Sequence, residues 1–142
     1  MADRESNPQP AGGERVRGGF LINVLPALAW AIAIFIGGGP GVRQPSIDLI
    51  PIDKLEHALA FCGLQVLGFR ALRYELPGRA RPALLWVAAL ISVLFGIALE
   101  IYQLGLPDRS AEVADAVADA LGALIGAAGL HFARLTPRNP AT

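Results

Sequence analysis

The chain has 142 residues, with twelve Lys and Arg balanced by twelve Asp and Glu, 54% hydrophobic residues and only 17% charged ones; its mean hydropathy is +0.48. A soluble surface usually carries about 25% charged residues or more, so the apolar excess calls for a lipid bilayer as solvent. Balanced charge excludes nucleic acid as a partner, because phosphate neutralisation needs a basic excess. The single cysteine, Cys62, excludes internal disulfides and multi-cysteine metal sites.

Residues 1–19 are polar, with Pro8, Pro10, paired glycines and three arginines, and are expected to form a disordered cytoplasmic tail. Residues 20–36 are apolar apart from Asn23 and Pro26, and predict the first transmembrane helix. The run is longer than the roughly 7 to 15 residues of a signal-peptide core. Gly37, Gly38, Gly39 and Pro40 end it, and the stretch through Pro51 reads as a loop.

Residues 55–72 predict the second and weakest span, because the uninterrupted uncharged part covers only 58–69. Arg70 and Arg73 can snorkel to one interface while Lys54 and His57 sit at the other. Asp53 followed by Glu56 reads as a capping box that starts this helix. Residues 83–106 predict a third span carrying Glu100 and Gln103 near its end. Val113–Phe132 predicts a fourth, rich in Ala and Gly, with Asp115 and Asp119 in its first half and Ser110 as its N-cap. Residues 20–133 would form one all-α domain of four transmembrane helices, followed by a cytoplasmic tail over 134–142.

Nine of the twelve basic residues fall in the two tails and the loop between spans two and three. Only Arg43, Lys54 and Arg109 fall on the other side. The positive-inside rule therefore puts both termini in the cytoplasm.

In that topology the second span begins, the third ends and the fourth begins at the outer face, so their polar residues converge there. Ionisable groups within spans usually face the bundle interior or a water-filled cavity. Asp53, Lys54, His57, Glu100, Gln103, Arg109, Ser110, Asp115 and Asp119 are thus the candidates for one shared polar pocket. A closed ion-pair network that neutralises the carboxylates through Lys54 and Arg109 would use the same residues simply to hold the helices together. No metal or cofactor motif is present, although Glu100, Asp115, Asp119 and His57 have the chemistry to ligate a divalent ion. Gly122, Gly126 and Gly129 form a small-residue stripe that marks a packing face, for the same chain or for a second copy in a homo-oligomer.

The order Asp53, Lys54, His57, Phe61, then Glu100, Gln103, Pro107, Arg109, Ser110, Asp115, Gly122 and Gly126 resembles the VanZ-like membrane proteins, named after a component of a glycopeptide-resistance cluster. The likeness runs from about Asp53 to Gly129, and Asp119 departs from it, standing where that family usually has Asn. The resemblance implies a small multi-pass protein of the bacterial cytoplasmic membrane and, from the founding member, a contribution to tolerance of teicoplanin-type antibiotics. It implies no reaction. Two functions are expected to compete. One is a binding protein whose outer pocket takes a polar or anionic group of an envelope lipid or glycopeptide, with Arg109 as anion contact. The other is a hydrolase or transferase acting on a lipid-linked phosphate, with a carboxylate or His57 as acid or base. No nucleophile elbow, zinc-helix motif or phosphate loop accompanies the second.

Overall fold

The computed structural model describes residues 12–40, 52–107 and 112–133, all of its regular structure being helical. The helices are α1 (Gly12–Asn23), α2 (Leu25–Gly37), α3 (Ile52–Glu75), α4 (Arg81–Gln103) and α5 (Val113–Phe132). Three stretches are long and apolar enough to cross a membrane: Gly18–Gly37, Arg81–Gln103 and Val113–Phe132.

The first stretch is made of α1 and α2. They are separated only at Val24, where Pro26 supplies no backbone N–H in the first turn of α2 and so interrupts the ladder. Helix already runs from Gly12, which corrects the expectation of a disordered tail over all of 1–19. Extending an existing helix costs far less than nucleating one, and Gly19 lies against Tyr74 of α3, which anchors the extension. Pro82 likewise sits in the first turn of α4, where a missing N–H is harmless, so that helix starts at Arg81 rather than 83. The fourth expected span is α5, with the bounds expected.

Pairings along the helices define the bundle. Trp30 Nε1 of α2 donates to the Ala60 carbonyl of α3 at 2.9 Å, and Arg70 of α3 donates to Asn23 at the end of α1 at 3.0 Å, so α3 runs antiparallel to the α1–α2 stretch. Gln65 of α3 reaches the Leu85 carbonyl of α4 at 3.2 Å, and Phe61 meets Phe95, again antiparallel. Against α5 the order is parallel: Ala58 faces Gly122 and Cys62 faces Gly126. α3 therefore packs against every other helix. That position explains how a 24-residue helix of low overall hydropathy is accommodated, because much of its surface meets protein.

The interior is built largely from small and polar residues. Ala88, Ser92 and Gly96 on α4 and Ala118, Gly122, Ala123 and Gly126 on α5 are buried, which lets the helix backbones approach closely. Phe69, Leu84, Leu85 and Ala88 form an apolar cluster at one end. The outside is the reverse: Trp86, Leu94, Ile101, Ile125 and many other large apolar side chains are exposed. Apolar outside and polar within is the arrangement a bilayer demands.

Candidate polar binding site

Because α3 and α5 run parallel, their N-termini lie side by side at the end of the bundle where α4 finishes. Two positive helix-dipole ends at one place favour carboxylates there, and Asp53 and Asp115 occupy the two first turns. Asp53 lies within the helix that begins by Ile52, and its carboxylate is held by Lys54, so it is not the cap expected from the sequence.

The polar residues form two layers. In the upper layer the Lys54 ammonium lies 2.9 Å from Asp53 and 2.7 Å from Glu112, and contacts Asp115 as well. Burial opposes the charge on Lys54, but its hydrogen bonds with Asp115, Glu112 and Asp53 outweigh that penalty and keep the ammonium protonated above the ordinary lysine range. One turn deeper, His57 Nδ1 lies 2.8 Å from Asp119 Oδ1. With Asp119 ionised the carboxylate only accepts, and the imidazole then carries a proton on Nδ1 and, when neutral, leaves Nε2 as the acceptor. Asp119 is only 1% exposed.

Glu100 joins the layers from α4. Its Oε2 accepts the backbone N–H of Glu112 at 2.9 Å. Glu112 is the N-cap residue of α5 and makes no side-chain cap itself. A glutamate from another helix thus performs the back-reaching half of a capping box. Ser110, expected to cap this helix, and Arg109 lie outside the described residues.

Gln103 is not part of the cluster. Its amide donates to the Gly38 carbonyl at 3.1 Å and ties the end of α2 to the end of α4. The site therefore unites Asp53, Lys54, His57, Glu100, Asp115 and Asp119, with Glu112 as a member missed in the sequence. The residue that makes room was missed too. A Cβ at Gly96 would lie 2.7 Å from Asp119 Oδ2 and 3.2 Å from the Phe61 ring, so glycine is what admits the carboxylate. A glycine within an otherwise apolar span was the available signal. Gln65, fully buried in the middle of α3, gives no such sign in the sequence.

Among the described residues, Glu100 Oε1 and Asp119 Oδ2 are buried without a hydrogen-bond partner. Ligand atoms of His57, Glu100 and Asp119 lie within 4.8 Å of one another, as do those of Asp53, Glu112 and Asp115. In the second group Lys54 already supplies the cation. In the first the donors are the imidazole and the Glu112 backbone N–H, and two carboxylate oxygens still have none among the described residues, so this is the group with the chemistry to accept an ion or an ammonium.

The glycine stripe divides. Gly122 and Gly126 press on Ala58, Cys62 and Gln65 of α3 in the same chain, whereas Gly129 faces open space. The first two are therefore spent on internal packing.

An all-helical protein with three apolar membrane-length stretches and an acidic, largely buried polar centre at one end of its bundle is a small integral membrane protein. The VanZ/LLP1 family model matches residues 19–134, and the chain belongs to that family. No curated protein and no solved structure matches it.

Proposed function

We propose that the protein is a non-enzymatic membrane binding protein, whose polar centre takes a donor-rich group of an envelope lipid or glycopeptide-type molecule. The observation that carries this reading is the surplus of acceptors. Five carboxylates surround one ammonium and one imidazole, and two of their buried oxygens have no donor among the described residues. Buried acceptors left unsatisfied cost about 1–3 kcal/mol each, and an ammonium or sugar hydroxyl would supply the missing protons. This shifts the expected ligand from an anion toward a cationic or polyhydroxyl group, and it does not depend on Arg109. The family supports a role in glycopeptide tolerance.

In this reading α3 is a fourth span, both termini are cytoplasmic, the site faces outward, and the membrane is the bacterial inner membrane. Reporters fused after Thr142 test the orientation: a periplasm-dependent reporter active there would overturn it.

The His57–Asp119 pair also supports a second reading, a hydrolase or transferase on a lipid-linked phosphate, because an aspartate that orients an imidazole is how a general base is held. His57→Gln separates the two. In a binder, the amide keeps part of the hydrogen bonding, so teicoplanin binding to purified protein in nanodiscs and tolerance in cells fall in a graded way. In an enzyme, an amide cannot carry the proton, and about 10²- to 10⁴-fold of rate is lost. Fully expressed, correctly inserted and wholly inactive His57→Gln and Glu100→Gln proteins would overturn the binding reading.

A further inference from the structure

The deeper layer of the polar centre brings together one side chain from each of three helices: His57 of α3, Glu100 of α4 and Asp119 of α5. Each is fastened at one polar atom and offers another. His57 Nδ1 and Asp119 Oδ1 hold one another at 2.8 Å, and Glu100 Oε2 accepts the Glu112 backbone N–H at 2.9 Å. The oxygens that remain, Asp119 Oδ2 and Glu100 Oε1, are both buried without a hydrogen-bond partner. Asp119 is 1% and Glu100 7% exposed, so bulk water does not reach them. With Nδ1 engaged by Asp119, Nε2 is the ring atom left to His57. Ligands of a metal ion are held in this way, because a ligating histidine gives its second ring nitrogen to a hydrogen bond and ligating carboxylates are themselves hydrogen-bonded.

The spacing suits a single ion. One ligand atom from each of the three residues lies within 4.8 Å of the other two, so some point lies within about 2.8 Å of all three, and zinc takes such ligands at about 2.0–2.2 Å. Side-chain movements of less than about an ångström close the shell. Charge points the same way. The Lys54 ammonium is already engaged by Asp53, Glu112 and Asp115, which leaves two carboxylates and one imidazole in the deeper layer. A divalent ion balances that pair of carboxylates. A headgroup ammonium brings one charge and has to carry its carbon substituents in among residues this buried, with Gly96 and the Phe61 ring lying against Asp119. The imidazole selects a first-row transition ion over magnesium or calcium, and three protein ligands leave zinc a further coordination position open.

We propose that His57, Glu100 and Asp119 together hold one divalent transition ion of the zinc type. The inference rests on the reading above for the site and deepens it, since a hydroxyl oxygen of the envelope molecule is the kind of donor that completes the ion's shell.

The test uses the full chain without a histidine tag, in nanodiscs, stripped with EDTA and titrated with Zn²⁺ against a chromophoric chelator. One ion per chain should bind. Hydrogen-bonding partners of metal ligands are alone worth about 10- to 100-fold in affinity, so His57→Gln and Asp119→Asn should each weaken binding by at least about 100-fold. His131→Gln removes the only other histidine, which is exposed at the far end of α5, and should change nothing. A wild type that binds no zinc would overturn the proposal, and so would stoichiometric binding that survives both site variants. Displacement of zinc by an equal concentration of Mg²⁺ or Ca²⁺ would mean an oxygen-only site without His57, and would also overturn it. Should the variants fail to fold, X-ray absorption at the zinc edge of the wild type still decides: one imidazole among oxygen neighbours at about 2.0–2.2 Å is expected, and a shell without imidazole refutes the assignment. Teicoplanin binding measured in parallel keeps the two readings apart. Teicoplanin bound by a protein that takes no zinc sinks this inference alone, whereas stoichiometric zinc without teicoplanin binding supports it and counts against the glycopeptide reading.

Discussion

Gly122→Ala should be the most damaging single methyl that can be added to the glycine stripe. A Cβ at Gly122 would lie 2.1 Å from the Ala58 carbonyl oxygen and 2.8 Å from both the Ala58 carbonyl carbon and Cα. All three atoms are backbone, so no rotamer change relieves the clash. Reaching even the 3.0 Å that real Cβ contacts keep requires α5 to move off α3 by nearly an ångström. Overpacking of this kind costs about 1–3 kcal/mol, and a gap of that size forfeits a quarter to a half of each dispersion contact along the interface. Ala58 follows His57 in α3 and Gly122 lies about one turn after Asp119 in α5, so the same movement should pull that pair apart. At Gly126 the closest atoms are the Cys62 carbonyl oxygen at 2.9 Å and the Gln65 side chain at 3.1 Å, a shortfall of tenths of an ångström. At Gly129 nothing lies within 4 Å, and alanine should be neutral or slightly stabilising by helix propensity. Thermal or SDS-induced unfolding in bicelles should thus rank Gly129→Ala at or above wild type, Gly126→Ala about 1 kcal/mol below, and Gly122→Ala about 2–4 kcal/mol below. Wild-type stability in Gly122→Ala would refute the close α3–α5 approach. If Gly129→Ala proved the worst of the three, the stripe would serve a second copy instead.

Gln65→Leu should leave stability unchanged or raise it, measured by the same unfolding, because the substitution exchanges one long hydrogen bond to Leu85 for the removal of a buried unpartnered oxygen. His57→Ala should cost about 3–5 kcal/mol by stranding the Asp119 carboxylate, and adding Asp119→Asn should recover part of that loss in a double-mutant cycle. Lys54→Met should destabilise by about 1–3 kcal/mol, between the values for exposed and buried pairs. Its folded proton affinity is raised, so the lysine's contribution is complete below its unfolded pKa of about 10.4 and fades only as pH climbs through the higher folded value. The gap between wild type and Lys54→Met should therefore hold steady from about pH 7 to 9.

Apolar run length placed the helices well where the flanks were simple, as at α5, because a bilayer rewards continuous apolar faces and penalises little else. It placed them less well where a proline stood near an end, since Pro26 and Pro82 are tolerated in a first turn without ending the membrane stretch. The convergence of His57, Glu100, Asp115 and Asp119 was legible because antiparallel passes bring alternate helix ends together. Which residue pairs with which was not. That depends on the rotation of each helix, which is set by where backbones come closest, at Gly96, Gly122 and Gly126. Gln103 shares a helical face with Glu100 by spacing, yet it lies one turn nearer the end and meets Gly38 of α2 instead. Glu112 stands at a helix start, where any acid is favoured. Only the packed bundle shows its N–H capped from α4 and its carboxylate on Lys54.

The two ends of the bundle carry opposite chemistry, and one cause accounts for both. α3 and α5 begin together, so their dipoles stabilise carboxylates at that end, and the same α3 finishes at the other with Arg70 and Arg73 beside Arg81. The balanced net charge of the chain thus conceals a separation along the membrane normal. A separation of this kind is itself an orienting device, because each elementary charge moved across the bilayer is worth about 2.3 kcal/mol per 100 mV of potential. In the orientation proposed above, the basic end lies on the negative side and the acidic centre faces outward, where a cationic or hydroxyl-bearing envelope molecule can reach it. Neither end could change sides without the other. Fusions that located the arginine end outside would therefore reassign the ligand of the acidic centre, while leaving its local contacts as they are.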